Sequence, residues 1–287
     1  MLTTIDSHRE TKAARVQPDH VEADIIYTPD DGRRHQVFIQ PMGSGKLNER
    51  SHPDTPVRVH IHNGRPHRAA INIEEHGFAL LDAPSKVTDF FDNEQIEQVY
   101  YPEVEALLKA ETGASRVIIF DHTIRIDDGD RSSELGQRLP VRRAHVDYTV
   151  KSGPQRVRDL VPDEADDLLS RRVSEINVWR SIAGTVERAP LAVAEAPSIA
   201  FEDLIATDLV YDDRVGEIYE FAHKPQHRWT YFPDMTQDEV LLLKSYDSAT
   251  DGRARFTPHT AFDDPTTRPA AKARESIEVR AFLFFDD

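Results

Sequence analysis

Short segments in which apolar and polar residues alternate recur along most of this chain, and they constrain its fold more than any other feature. Four of them are VRVHIHNGR at 57–65, SRVIIFDHTIRI at 115–126, LPVRRAHVDYTV at 139–150 and ESIEVRAFLFFDD at 275–287. Alternation with a period of two is typical of a β-strand that buries one face. Many such segments with few helical ones favour a β-sandwich or barrel. We therefore expect a mainly β protein with helical additions.

The order of the other segments divides the chain. Residues 1–22 are polar and charged, which predicts a loosely held leader, and residues 23–287 are expected to form a single domain. ADIIYTPD and HQVFIQPM flank the turn sequence DDGRR and predict a β-hairpin at the start of that domain. The section 93–113 is helical instead, with Asn93 as a cap and Gly113 as its end.

Composition excludes several classes of protein. The net charge of −16 disfavours binding to nucleic acid, and no apolar run is long enough to span a membrane. The chain has no cysteine and begins without the apolar core of a signal peptide, so we expect a cytoplasmic protein. Any metal must then be held by histidine and carboxylate, which suits iron, manganese or zinc. Nothing in the composition predicts an oligomeric state.

The segment RRAHVDYT contains a His-x-Asp pair, His145 and Asp147. The chain has 13 His and 51 acidic residues, so triplets of this kind arise by chance, and two others begin at His8 and His20. This one lies in a strand pattern, where residues two apart project from the same face and could reach one metal ion. The alternative is a surface histidine beside a solvated acid.

A metal site of this type needs a third ligand, and the candidates downstream are His223, His227 and His259. Two histidines and one carboxylate form the usual triad of open non-haem Fe(II) sites. His259, in PHTAF, is followed by the last strand, which Arg274 and Ser276 open. An arginine fork and a nearby hydroxyl could hold the distal carboxylate of a 2-oxo acid, with Arg280 in reserve for that role.

Two further phrases supply candidates for the pocket. FDHTIR holds His122 and Arg125, which could contact substrate or support the metal ligands, although Asp121 and Arg125 could instead simply pair. INVWR holds Asn177 and Trp179 on one face of a strand and Arg180 on the other, and all three are candidate substrate contacts. A rival metal motif is the His-x-His pair His60 and His62, which is typical of cupins.

Several phrases, in their order, resemble the CmcJ/NvfI family (gibberellin desaturase-like) of Fe(II)/2-oxoglutarate-dependent oxygenases. They include INIEEHGFALLDAPSKVTDFFD, YYPEVEALLKAETGA, AHVDYT, INVWR, HRWTYFPDMTQDEVLLLKSYDS, PHTAF and RESIEVRAF, spread over 57–285. The resemblance implies a double-stranded β-helix (jelly roll) core. It also implies iron ligands at His145, Asp147 and His259, with a 2-oxoglutarate clamp of Arg274 and Ser276. His227 is then a pocket histidine and a candidate substrate contact.

The resemblance implies a dioxygenase that uses Fe(II), 2-oxoglutarate and O2 to hydroxylate, desaturate or cyclise a small metabolite in secondary metabolism. Halogenases of this fold replace the metal-binding carboxylate, so Asp147 argues against halogenation. Two alternatives stay open: a cupin-like metal enzyme using His60 and His62, and a non-catalytic accessory protein of a biosynthetic cluster. The identity of the substrate does not follow from the sequence.

Overall fold

The structure, a computed structural model that describes residues 17–40 and 48–286, is built mainly from strands. These are β1 His20–Tyr27, β2 His35–Phe38, β3 Glu49–Arg50, β4 Thr55–Asn63, β5 Phe78–Asp82, β6 Arg116–Ile126, β7 His145–Val146, β8 Val173–Ser181, β9 Leu191–Ala194, β10 Leu204–Val210, β11 Val215–Phe221, β12 Trp229–Tyr231, β13 Glu239–Asp247, β14 His259–Ala261 and β15 Glu275–Phe284. The helices are α1 Asn93–Gln95, a π-helical turn Ile96–Tyr100, α2 Tyr101–Thr112, α3 Gly129–Glu134, α4 Ser152–Leu160 and α5 Ala165–Leu168, with 3-10 turns at Arg65–Ala70, Ala196–Ser198 and Phe201–Asp203.

The described strands form two sheets. The smaller has the order β5-β13-β8-β15-β6, and the larger has the order β1-β4-β12-β9-β14-β7-β11-β10-β2-β3. Every pairing in the smaller sheet is antiparallel, and the larger sheet is antiparallel except where β12 meets β4 and where β10 meets β2. This is the predicted mainly β fold with a double-stranded β-helix core.

A helical layer covers the outer face of the smaller sheet. The predicted helix at 93–113 is confirmed as a continuous run through α1, the π-helical turn and α2, and it ends at Gly113 with φ of 74°. Its cap is Asp92, which accepts from the backbone N–H of Glu94, and not Asn93 as predicted. Ile96, Tyr100, Val104 and Leu108 repeat every four residues and are buried against this sheet. The side chains of the sheet that they meet are those of alternate residues in β8 and β15: Ile176, Val178, Ile277 and Val279.

The inner face of the smaller sheet therefore carries the other residues of β8 and β15. Trp179 of β8 packs with residues of both sheets, among them Leu241 of β13 and Val193 of β9. Because aliphatic residues fill most of the outer positions, the polar residues at the alternate positions, such as Asn177 and Arg280, are directed between the sheets. The site lies there.

Two expectations about the start of the chain need comment. The hairpin prediction is wrong, because β1 pairs with β4 while β2 pairs with β10 and β3. Residues 1–16 of the predicted leader lie outside the described residues, and β1 already begins at His20. In the part of the chain that the structure describes, no helix is long and apolar enough to cross a membrane.

Candidate metal centre

Three potential metal ligands converge between the sheets. His145 of β7 and His259 of β14 are directly paired in the larger sheet, and their ring centroids lie 4.5 Å apart. Asp147 follows β7, and its Oδ1 lies 3.5 Å from His145 Nε2. Each of the three side chains offers one potential ligand atom, and these three atoms all lie within 4.8 Å of one another. The register of two short strands thus brings together residues 112 or more positions apart in the chain.

Each imidazole is fixed through its Nδ1 atom. His145 Nδ1 lies 2.8 Å from the carbonyl oxygen of Arg143, and His259 Nδ1 lies 3.1 Å from that of Thr257. Because a carbonyl oxygen can only accept, both Nδ1 atoms donate, and in a neutral ring the Nε2 atom then keeps its lone pair. Burial, with the neighbouring His259, lowers the pKa of His145 to about 4. The His145 imidazole is therefore neutral, as a metal ligand requires.

The carboxylate of Asp147 is fixed from the side of its second oxygen. Asn177 Nδ2 donates to Oδ2 at 2.8 Å, and Arg280 Nη1 lies 3.8 Å from the same oxygen. Burial opposes the charge of Asp147, but Arg280 and the two imidazoles outweigh it and hold the pKa of this carboxyl well below its usual value. Asp147 is thus ionised, with Oδ1 on the side of His145.

A narrow cavity connects the two imidazoles with a buried guanidinium. Its lining includes His145, His259, Trp179, Arg274 and Glu278. Arg274 is 3% exposed, donates from Nη1 to the carbonyl oxygen of Ala189 at 2.6 Å and lies over the Trp179 ring at 5.4 Å. Burial lowers the pKa of Arg274 to about 9, so it remains a cation at neutral pH.

That cation forms no direct ion pair among the described residues, although Asp127 and Glu278 lie near enough to favour its charge. No described carboxylate lies within ion-pair distance of Arg274, and its Nε atom has no hydrogen-bond partner there. Burying an unpaired charge costs free energy, which a bound anion can offset. The arrangement therefore favours a carboxylate ligand between Arg274 and the imidazoles.

Comparison with known proteins places the chain in a family. A family model described as Oxidoreductase/YMDC permease-like domain matches residues 25–284. The hydroxylase/desaturase efuI of Hormonema carpetanum is 30% identical over 298 residues, which cover 96% of this chain and 98% of that protein. The Fe(II)/2-oxoglutarate-dependent dioxygenase nvfI of Aspergillus novofumigatus is 28% identical, with 92% and 96% covered. A solved structure of the iron and alpha-ketoglutarate-dependent endoperoxidase NvfI superposes with a TM-score of 0.82 at 25% identity, covering 93% of this chain and 98% of that one.

The chain belongs to the NvfI-like family of Fe(II)/2-oxoglutarate-dependent oxygenases. It is a dioxygenase, with Fe(II) as cofactor and 2-oxoglutarate and O2 as co-substrates. The residues present fit that cofactor. Open non-haem iron sites use two imidazoles and one carboxylate as donors. Here these are the imidazoles of His145 and His259, each held through Nδ1, and the ionised carboxylate of Asp147.

Other predicted residues of the oxygenase lie in or beside this cavity. Arg125 of β6 is part of the lining and donates from Nη1 to the carbonyl oxygen of Leu139 at 3.0 Å. Ser276 is buried and pairs in register with Arg125. Asn177, predicted as a substrate contact, instead donates to Asp147, while Trp179 lines the cavity.

Arg280 is not available as a second clamp. Its Nε and Nη2 atoms form a bidentate ion pair with Asp121 at 2.7 and 2.8 Å. The suggested pairing of Asp121 with Arg125 is therefore wrong, and the planar fork of Arg280 is occupied. Arg280 contributes instead to the charge balance of Asp147.

The structure places two predicted substrate contacts, Arg180 and His122, outside this cavity. Arg180 lies on the outer face of β8, where it donates to the Tyr100 hydroxyl at 3.1 Å and to the carbonyl oxygens of Ala83 and Gln237. His122 pairs in register with Val279, which faces the helical layer, and its Nδ1 lies 2.8 Å from the Tyr101 hydroxyl. Both side chains are thus directed away from the space between the sheets.

His227 is a satisfied structural histidine. Its Nδ1 accepts from the backbone N–H of Lys224 at 3.2 Å, its Nε2 lies 3.0 Å from Asp203, and its ring stacks on Phe221 at 4.3 Å. The third downstream candidate, His223, packs edge-on against Tyr27 at 5.0 Å. With both ring nitrogens of His227 engaged, it can serve neither as a ligand nor as a substrate contact.

The cupin alternative is also contradicted. His60 and His62 lie on the exposed face of β4, on the other side of the strand from buried Ile61.

Sequence reasoning missed Glu278, which lines the cavity as the acid beside Arg274. Its place in ESIEVR, with the same parity as Ser276 and Arg280, is the signal that could have found it.

Proposed function

We propose that this oxygenase holds Fe(II) through His145, Asp147 and His259 and 2-oxoglutarate through Arg274 and Ser276. It uses them to hydroxylate, desaturate or cyclise a small metabolite of a biosynthetic pathway. The observation that carries the proposal is the sharing of one cavity by two imidazoles and an unpaired buried guanidinium. The retention of Asp147 favours these outcomes over halogenation.

The chain's own residues position the reactants. The Arg274 fork binds the distal carboxylate of 2-oxoglutarate bidentately, while Trp179 and Leu191 exclude water from the same cavity. Asn177 and Arg280 hold one oxygen of Asp147 and leave the other for the metal. When bound, Fe(II) would supply the centre at which O2 is reduced, with two electrons coming from 2-oxoglutarate as it is oxidised to succinate and CO2.

We also propose that residues 23–287 act as one domain, which the start of β1 extends to His20. The family model, which matches residues 25–284, supports a single domain. The net charge of −16 supports a partner set without nucleic acid. The absence of cysteine supports a cytoplasmic location.

Succinate formation from 2-oxoglutarate tests the activity. The purified protein with Fe(II), ascorbate and O2 should form succinate, and His145→Ala should abolish it. His60→Ala should retain both bound iron and succinate formation. A protein that binds iron but forms no succinate with any candidate metabolite would be an accessory module, the alternative that competes with this function.

A further inference from the structure

Four residues of metal-binding type gather on the outside of the larger sheet. We call His20, Glu22, His60 and His62 the outer histidine cluster. In the antiparallel ladder of β1 and β4, His20 pairs with His62 and Glu22 pairs with His60. Directly paired residues have Cβ atoms about 4.5–5.5 Å apart, and residues two apart in a strand share a face. The four side chains therefore form a two-by-two patch, and all four residues are exposed.

The side chains of this patch already contact one another. The His20 ring centroid lies 4.7 Å from that of His60 and 6.2 Å from that of His62. His60 Nε2 lies 3.4 Å from Glu22 Oε1. The first of these spacings matches the 4.5 Å between the His145 and His259 rings at the iron centre.

The backbone separates the cluster from the iron centre. The residues between its members, Val21 and Ile61, are directed inward and are buried in a core with Tyr27 and Trp229. The ligand atoms of the cluster are more widely spread than those of the iron centre. The side chains of His60 and Glu22 are 59% and 56% exposed, so they can rotate toward a common ion without disturbing the sheet.

We propose that the outer histidine cluster is a second metal site, which takes a divalent ion of the zinc class. Imidazole nitrogens suit Zn²⁺, Cu²⁺ and Ni²⁺, and zinc sites combine histidine with carboxylate. Because two ligands come from β1 and two from β4, a bound ion joins these strands. β1 covers the core through Val21, Ala23 and Ile25, so binding stabilises the folded chain by mass action.

Zinc binding to the metal-free full chain tests the proposal. Equilibrium dialysis against Zn²⁺ should give two ions per chain for the wild type and one for His145→Ala. In the His145→Ala background, His60→Gln and His62→Gln should each weaken the remaining site by about tenfold or more. Zn²⁺ should also raise the melting temperature of His145→Ala, and the double change His60→Gln/His62→Gln should remove that rise.

The matched control is Arg58→Gln. Arg58 lies on the same exposed face, one rung further along the ladder, and pairs with Asp24. This change should leave zinc stoichiometry and the thermal shift unaltered, and circular dichroism should show that every variant is folded. A His145→Ala protein that binds no zinc would overturn the proposal, as would unchanged zinc affinity in the His60→Gln/His62→Gln variant.

Discussion

Each of the three proposed iron ligands is held through an atom that would not bind the metal. The two Nδ1 atoms bond to carbonyl oxygens, and Asp147 Oδ2 bonds to Asn177. Hydrogen bonds of this kind fix the tautomer and orientation of metal ligands before the ion binds. Two of the three donor atoms that remain, His145 Nε2 and Asp147 Oδ1, lie 3.5 Å apart.

The bond from Asn177 gives the first prediction. Asn177→Ala removes the donor to Asp147 Oδ2 and should lower Fe(II) affinity by about 10- to 100-fold. The measurement is anaerobic titration with Fe(II), or with Co(II) followed by its visible spectrum. Trp179→Phe changes a neighbouring cavity residue that bonds to no ligand, so its metal affinity should equal that of the wild type. Equal affinity in both variants would show that Asn177 does not orient the ligand.

The unpaired cation at Arg274 gives the second prediction. Losing a charge-assisted bidentate interaction costs about 1.5–3 kcal/mol, so Arg274→Ala should raise the KM for 2-oxoglutarate by about 10- to 100-fold. Iron affinity should survive, because Arg274 contacts none of the three ligands. Steady-state succinate formation measures the first quantity and anaerobic iron titration the second. An unchanged KM would return the clamp to Arg280 and require its pair with Asp121 to open.

For the strands that form the site, the sequence predicted which side chains share a face, because alternation along a strand alone decides this. Alternation along β8 correctly put Asn177 and Trp179 opposite Arg180, and the helical pattern that ends at Gly113 correctly gave the helix at 93–113. Pairing partners were not predictable, because a strand that looks like half of a hairpin can bond to a segment far along the chain. β1 and β2 illustrate this, since they pair with β4 and β10.

A turn before β5 positions one ligand, which gives the third prediction. Gly77 has φ of 86°, and an added Cβ would lie 2.2 Å from Thr257 Oγ1. Thr257 also accepts the bond from His259 Nδ1. Gly77→Ala should therefore destabilise the protein by about 1–3 kcal/mol and weaken metal binding as well.

Gly113→Ala is the matched control for that change. Gly113 also has positive φ, at 74°, but nothing lies within 4 Å of its added Cβ. It should lose about 1 kcal/mol from backbone strain alone and keep full metal affinity. Urea unfolding and metal titration of both variants separate the two effects. Equal metal affinity in the two variants would show that the Gly77 turn does not position His259.

At the scale of the whole molecule, two facing sheets bury groups that neither sheet would bury alone. The resemblance identified the family and favoured His259 over the other candidate histidines, because local periodicity cannot select a partner 112 residues beyond Asp147. The sequence did not predict which polar side chains are buried. Nothing in the segment SEINVWR indicates that Glu175 is fully buried in the folded chain. Its side chain lies on the inner face of β8, and neither carboxyl oxygen has a hydrogen-bond partner among the described residues.

Glu175 makes the stability of the whole chain depend on pH. Burial raises the pKa of Glu175 well above its ordinary value of 4.5, and nearby Asp147 adds to the rise. The folded chain thus keeps a proton that the unfolded chain has lost, so the free energy of unfolding falls as pH rises above 4.5. One such group contributes a slope of at most about 1.4 kcal/mol per pH unit.

Glu175→Gln should remove that slope, because an amide does not ionise. The variant should gain stability over the wild type as pH rises from 5 to 8, and the gain should vanish near pH 4, where both states of the wild type are protonated. Urea unfolding of the metal-free proteins across this range measures it. Glu134→Gln, at an exposed position, should show no such gain. A constant difference between Glu175→Gln and wild type at every pH would mean that the buried carboxyl does not hold its proton, and that Arg280 compensates its charge.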